Sequence, residues 1–296
     1  MLAFCIYKFA VDYLRRFSIL LTYWLRLEAK SGIIRLTERH CVSEASGVYM
    51  GGMVINMKYY VVSDVHGHYT ELVEALERAG FDRENEQHIL LSCGDLFDRG
   101  EENRQVYELI KGLPRKILIK GNHEDILCRV LKRGCITQTD RRNGTDITVA
   151  QMLGHGAVDE SGHFDTVACA AQIEEIVAFV DSMRDYYETR RYIFVHGWLP
   201  ITVEGRRPLI RPSWRDDPAS EWEEARWLEW QQLYGTGAVP EGKTVVCGHR
   251  PARLGHMFDD TREPDCSEPF CGEGMIAIDA GTVRSGRVNV LVVEDD

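Results

Sequence analysis

From Lys58 onward the chain alternates two hydrophobic patterns. Short apolar runs of four to six residues predict strands. Longer stretches with apolar residues three and four apart predict helices. The run at 59–63 is the first strand. Leu72, Val73, Leu76 and Ala79 then recur at helical spacing, and Gly80 ends a helix predicted over 70–79. A strand at 88–92, a helix at 103–111 closed by Gly112 and Pro114, and a strand at 116–120 follow. This β-α-β-α-β order predicts a parallel sheet with right-handed crossovers. In such sheets ligands bind at the carboxyl ends of the strands.

The pattern then changes. Residues 124–132 continue as a helix, 137–144 are polar and read as a loop, and 148–153 and 168–187 read as helices. Roughly 124–188 is therefore a helical insertion in an α/β body. Strand patterns return at 191–195, 243–247, 275–279 and 288–294, which suggests a second sheet. The last two flank Gly281, Ser285 and Gly286 and predict a hairpin or meander.

Residues 1–56 differ from the rest. Seven Lys/Arg stand against four Asp/Glu there, although the whole chain carries a net charge of -11. The longest uncharged run in 2–27, at 17–25, is far shorter than a membrane span of roughly 20 residues. Because Met57 directly precedes the first strand, the extension is expected to lie outside the functional protein, leaving 57–296 as the catalytic domain. The acidic body disfavours nucleic-acid binding, which relies on neutralising phosphates. Nine cysteines, without paired short spacing, suit a reducing cytoplasm better than a disulfide framework. Cys266 and Cys271 lack the second Cys or His pair that a zinc site needs.

Five motifs carry the chemistry, each after a predicted strand: Asp64-Val65-His66, Gly94-Asp95-Leu96-Phe97-Asp98-Arg99-Gly100, Gly121-Asn122-His123-Glu124, His196-Gly197 and Gly248-His249. Hard oxygen ligands mixed with imidazoles suit a pair of divalent cations. Asp64 and His66, two apart beyond a strand, point to one side and share one ion. Asp95 is placed to bridge two ions, and Asn122, His196 and His249 complete the second. Arg99 is placed to fork two phosphate oxygens. His123 is placed to protonate the leaving group, with Asp98 orienting it.

These motifs, in this order, resemble the calcineurin-like metallophosphoesterase superfamily, and most of all its phosphoprotein-phosphatase branch near bacterial and phage serine/threonine phosphatases. The resemblance implies a four-layer αββα sandwich of two mixed sheets flanked by helices. It implies Asp64, His66 and Asp95 on one metal and Asp95, Asn122, His196 and His249 on the other. It also implies His123 with Asp98 as the acid pair, and Arg99 as phosphate clamp. The family uses manganese, iron or zinc; Mn2+ is the expected pair, and a hydroxide held between the ions attacks phosphorus in line. The family's second phosphate arginine falls between the motifs holding His196 and His249. Arg226 is the choice here, with Arg215 next, although the local pattern departs from better-known members.

The stretch 198–230 holds five of the six tryptophans together with Arg206, Arg207, Arg211, Arg215 and Arg226. The tryptophans read as the buried face of a helix over 222–233, and one arginine of the five as functional. The leading expectation is a serine/threonine protein phosphatase acting on phosphoproteins or small phosphorylated substrates. The alternatives are a nucleotide-directed hydrolase, such as a symmetrical diadenosine tetraphosphatase, and a non-catalytic phosphoprotein-binding module, which would lack ligands that this chain retains.

Overall fold

The computed structural model describes residues 33–36, 49–50, 53–54, 57–154, 156–258 and 266–295. Most of the N-terminal extension lies outside the described residues. The one exception that touches the body is the strand Ile33–Leu36, which pairs in parallel with Val290–Val293 at a sheet edge.

Two five-stranded mixed sheets form the body. The first runs in the order Ile33–Leu36, Val290–Asp295, Met57–Val62, His88–Ser92, Lys116–Leu118. Its last three strands are parallel, as the β-α-β-α-β reading predicts, and Val290–Asp295 is antiparallel to Met57–Val62. The second runs Phe270–Gly272, Met275–Ala277, Thr244–Cys247, Tyr192–Phe194, Tyr187–Glu188, with three parallel strands at its centre.

Period-two alternation explains how the sheets stack. Along Met57–Val62, Tyr60 and Val62 face a cluster with Leu72, Leu76, Val106, Ile110 and Leu127 from the flanking helices. Tyr59 and Val61 face the opposite way and meet Tyr192, Phe194, Val246 and Ile276 of the second sheet. The second sheet repeats the pattern. Ile193, Val195, Val245 and Cys247 turn outward to Trp198, Trp214, Trp222 and Trp230. Three apolar interfaces therefore separate four layers, the αββα arrangement.

Four local expectations are corrected. Residues 137–144 are not a loop: Gln138–Asn143 is a helix, because Thr137 and Asp140 form a reciprocal capping box and Gly144 supplies the left-handed cap. The helix expected to reach 187 ends at Asp181, and Tyr187–Glu188 is a strand. The single helix expected over 222–233 is split into Ala219–Ala225 and Trp230–Leu233. Met275–Ala277 and Val290–Asp295 do not form a hairpin, since they belong to different sheets with the helix Thr282–Ser285 between them. Apolar alternation reports that a strand is half buried but not which sheet it joins.

Candidate metal centre and active site

Each motif leaves its strand by a sharp turn, and the backbone pays for the geometry. Among the described residues, the non-glycine residues with positive φ are Asp64, His66, Asp95, Asp98, Arg99 and His249. All are members of the motifs. Left-handed backbone costs a non-glycine residue roughly 1–2 kcal/mol, and such strain concentrates at functional sites. Two glycines permit the close packing that holds it. A Cβ on Gly121 would lie 2.2 Å from Asp95 Oδ1, and one on Gly248 would lie 2.0 Å from Ser63 Oγ.

The ligand candidates converge as two triads that share Asp95: His66, Asp95 and His123, and Asp95, His196 and His249. His66 Nε2 lies 3.7 Å from Asp95 Oδ2 and 3.9 Å from Asp64 Oδ1. His196 Nε2 lies 3.4 Å from Asp95 Oδ1. Asn122 Oδ1 sits 2.9 Å from His196 Nε2 and 3.0 Å from His249 Nδ1. All of these side chains are buried except His249, which is half-buried.

The donor set fits divalent cations. His66 Nδ1 and His196 Nδ1 lie 2.9 and 2.8 Å from the carbonyls of Phe97 and Cys93, so each ring is oriented with Nε2 toward the cluster. His66 Nε2 is buried without any hydrogen-bond partner. A buried polar atom in that state is costly, and a cation bound there would satisfy it. Asp64 Oδ2 accepts from Ser63 Oγ and the His249 amide, which leaves Oδ1 toward His66. The grouping adds one feature to the sequence reading: His123 lies within the first triad, its Nε2 4.0 Å from Asp95 Oδ2.

The electrostatics follow from burial. Burial is the largest influence on His66 and drives its imidazole well below the ordinary range, toward the neutral form that ligates metal. Burial also opposes the charge on Asp95, but His196, His123 and His66 outweigh it and hold that carboxyl well below its usual range. Burial opposes protonation of His196, yet Asp95 pushes it up to about 9. Burial and then the His196 charge bring His249 down to about 3. Asp64 is raised, by burial foremost.

Residues around the ligand candidates hold them in place. His123 Nδ1 lies 2.8 Å from Asp98 Oδ2, the expected acid pair, and Arg99 Nη2 lies 3.1 Å from His123 Nε2. Thr145 and Thr148 donate to the two oxygens of Asp98 at 2.7 Å each. Glu124 accepts from the amides of Asp95, Leu96 and Gly121 and so fastens two motif turns together. In the sequence Glu124 shows only as a member of its motif, with no role of its own, and nothing local in the insertion marks Thr145 or Thr148.

Arg226, expected as the second phosphate clamp, is committed elsewhere. It is buried, and its guanidinium donates to Asp125 and Asp185. Arg215 is held by Glu188 and stacks over Trp214. The arginines beside the centre are others. A cavity of about 820 Å³ opens from it, lined by His66, Arg99 and His249 and by Arg250, Arg253, Arg284 and Arg287. Arg250 directly follows His249, a ligand candidate, and its Nε is buried without a hydrogen-bond partner.

An αββα sandwich with two imidazole–carboxylate triads at the strand ends defines a metal-dependent phosphoesterase. Comparison with known proteins agrees: residues 57–276 match the calcineurin-like phosphoesterase family, and the chain belongs to it. A symmetrical bis(5'-nucleosyl)-tetraphosphatase of Methylococcus capsulatus is 23% identical over 80% of this chain and 92% of its own length. The asymmetrical bis(5'-nucleosyl)-tetraphosphatase PrpE of Bacillus subtilis is 33% identical, over 32% of this chain and 42% of its own length. A metallophosphoesterase structure from Sphaerobacter thermophilus covers 81% of this chain and 90% of its own, at 17% identity and a TM-score of 0.43. Among the described residues, no helix is long and apolar enough to cross a membrane.

Proposed function

We propose that this protein hydrolyses phosphoanhydrides of nucleotides, with dinucleoside tetraphosphates cut symmetrically as the leading substrate class. The observation that carries this reading is the arginine-lined cavity beside the metal centre. In a chain of net charge -11, four arginines besides Arg99 around one cavity are a local reversal of sign. A single phosphomonoester offers one dianionic group, which Arg99 and the metals neutralise. A polyphosphate chain carries several charges in a row and gives the further arginines a purpose. The symmetrical tetraphosphatase that spans most of this chain points the same way, and this displaces the phosphoprotein phosphatase as the first reading.

In this reading Asp64, His66, Asp95, Asn122, His196 and His249 hold two divalent ions, manganese by preference. The ions supply charge neutralisation at the phosphoryl oxygens and a nucleophilic water at neutral pH. Arg99 and Arg250 orient the phosphoryl group. His123 holds a proton toward the departing oxygen, and Asp98, fastened by two threonines, keeps the ring aligned. The catalytic unit is 57–296, so a chain starting at Met57 retains turnover even without the paired strand Ile33–Leu36; loss of its activity would assign the extension a role.

The test is turnover, with manganese, of diadenosine tetraphosphate against a phosphoserine peptide, with product analysis. Two ADP per substrate, and kcat/KM at least about tenfold above that for the peptide, supports the proposal. Preference for the peptide returns the reading to a protein phosphatase.

A further inference from the structure

Four of the five tryptophans in 198–230 are buried, with exposures between 0 and 4%: Trp198, Trp214, Trp222 and Trp230. Trp227 is 47% exposed. A tryptophan carries the largest apolar ring of any residue, and leaving half of it in water is unfavourable unless something covers it. Its position is also not incidental. The ring meets His249, a metal-ligand candidate, edge-on, with centroids 6.0 Å apart and planes at 80°.

The backbone beneath Trp227 is fastened on every side. The Trp227 amide donates to Glu224 O and the Arg226 amide to Trp222 O. The Trp198 amide donates to Ala225 O, which ties this turn to the His196-Gly197 motif. A Cβ on Gly197 would lie 2.5 Å from Ala225 O, so the two turns are in direct contact. The Arg226 guanidinium anchors the turn to Asp125 and Asp185. The ring is therefore presented beside His249 by a well-fastened turn, and His249 also lines the arginine-lined cavity, whereas Trp227 does not.

We propose that Trp227 is a stacking platform for the nucleobase of the substrate. This rests on the nucleotide reading above. The phosphate chain lies across the centre toward the arginines, and the nucleoside at its near end folds its base onto the open face of Trp227. A planar heterocycle covers an aromatic face without needing a hydrogen-bond code, so the platform tolerates different bases. It accounts for the exposure of this one tryptophan and for the fastening of its backbone. Arg226 then acts as a positioning residue for the platform.

The experiment compares the wild type with W227A and W227F, with manganese, on diadenosine tetraphosphate and on inorganic tripolyphosphate, which has no base. For W227A the KM for diadenosine tetraphosphate rises about tenfold, while that for tripolyphosphate moves less than about twofold. W227F recovers most of the loss. ADP quenches the tryptophan fluorescence of the wild type and not that of W227F. Equal losses on both substrates would show that the ring only steadies His249 and would overturn the proposal, as would an unchanged KM for the dinucleotide in W227A. A wild type that does not cleave diadenosine tetraphosphate overturns the nucleotide reading itself. A wild type that cleaves it, with W227A unaffected, overturns the platform alone.

Discussion

The metal centre and the arginine-lined cavity share His66, Arg99 and His249 but are built in opposite ways. At the centre the residues that support the ligand candidates are buried and held by several partners. Asp98 receives two threonine hydroxyls and faces His123, and Glu124 receives three amides. Backbone strain at six residues persists because so many contacts determine it. The cavity wall is more open to solvent by contrast. Arg284 and Arg287 are exposed, Arg250 and Arg253 half-buried, and Arg250 meets Glu229 only at 3.5 Å. Chemistry needs atoms fixed to fractions of an ångström, whereas choosing a charged substrate needs only charge nearby. The first kind of region is densely supported and the second is open to change.

The largest effect is expected at the residue common to both triads. Asp95→Asn removes a charge that His66, His123 and His196 all face. Turnover should fall at least about a thousandfold, and bound metal, measured on the purified protein, should fall with it. Retained metal and turnover would break the view that the centre is one unit.

Arg226→Met comes next. It leaves Asp125 and Asp185 without their cation. Removing one partner of a buried pair costs about 3 kcal/mol, and thermal unfolding should show it. A phosphate clamp would behave differently, with KM raised and stability kept.

Arg250→Ala tests the cavity. KM for diadenosine tetraphosphate should rise about tenfold, with a smaller rise for p-nitrophenyl phosphate and little change in unfolding temperature. Equal effects on both substrates would place Arg250 at the reacting phosphoryl group alone.

The smallest effect concerns Arg215 and its partner Glu188, far from both regions in role. The Arg215 hydrogen bond, against some burial and with help from Lys243, holds the Glu188 carboxyl down at about 2, below the ordinary 4.5. A carboxyl with a lowered folded value adds stability that is full above about pH 4.5 and fades as the pH falls toward about 2. The gap in unfolding temperature between wild type and Glu188→Gln should therefore shrink over that window. A gap that stayed constant would remove the ion pair as its cause.

Much of the centre was legible in the chain. Asp64, His66, Asp95, Asn122, His196 and His249 each follow a strand by two to four residues, so locating the strand ends located the ligand candidates. Residues that act across the fold were not. Thr145 and Thr148 reach Asp98 from 47 and 50 positions away. Arg226 looked like a clamp because the family's second phosphate arginine falls between the motifs holding His196 and His249. Its partners at 125 and 185 are visible only once the insertion packs. The same holds for the last two strands, whose periodicity was plain but whose sheets were not.

By itself the sequence determined the class of chemistry. Hard ligands and imidazoles at successive strand ends have few uses other than holding cations against phosphate, and the strands that carry them show in a local, period-two pattern. The tertiary structure alone decided which arginines face that chemistry and which are neutralised by distant carboxylates. It also decided which one of five tryptophans stays open to solvent. Burial and pairing between residues a hundred positions apart are properties of packing, and no local pattern encodes them.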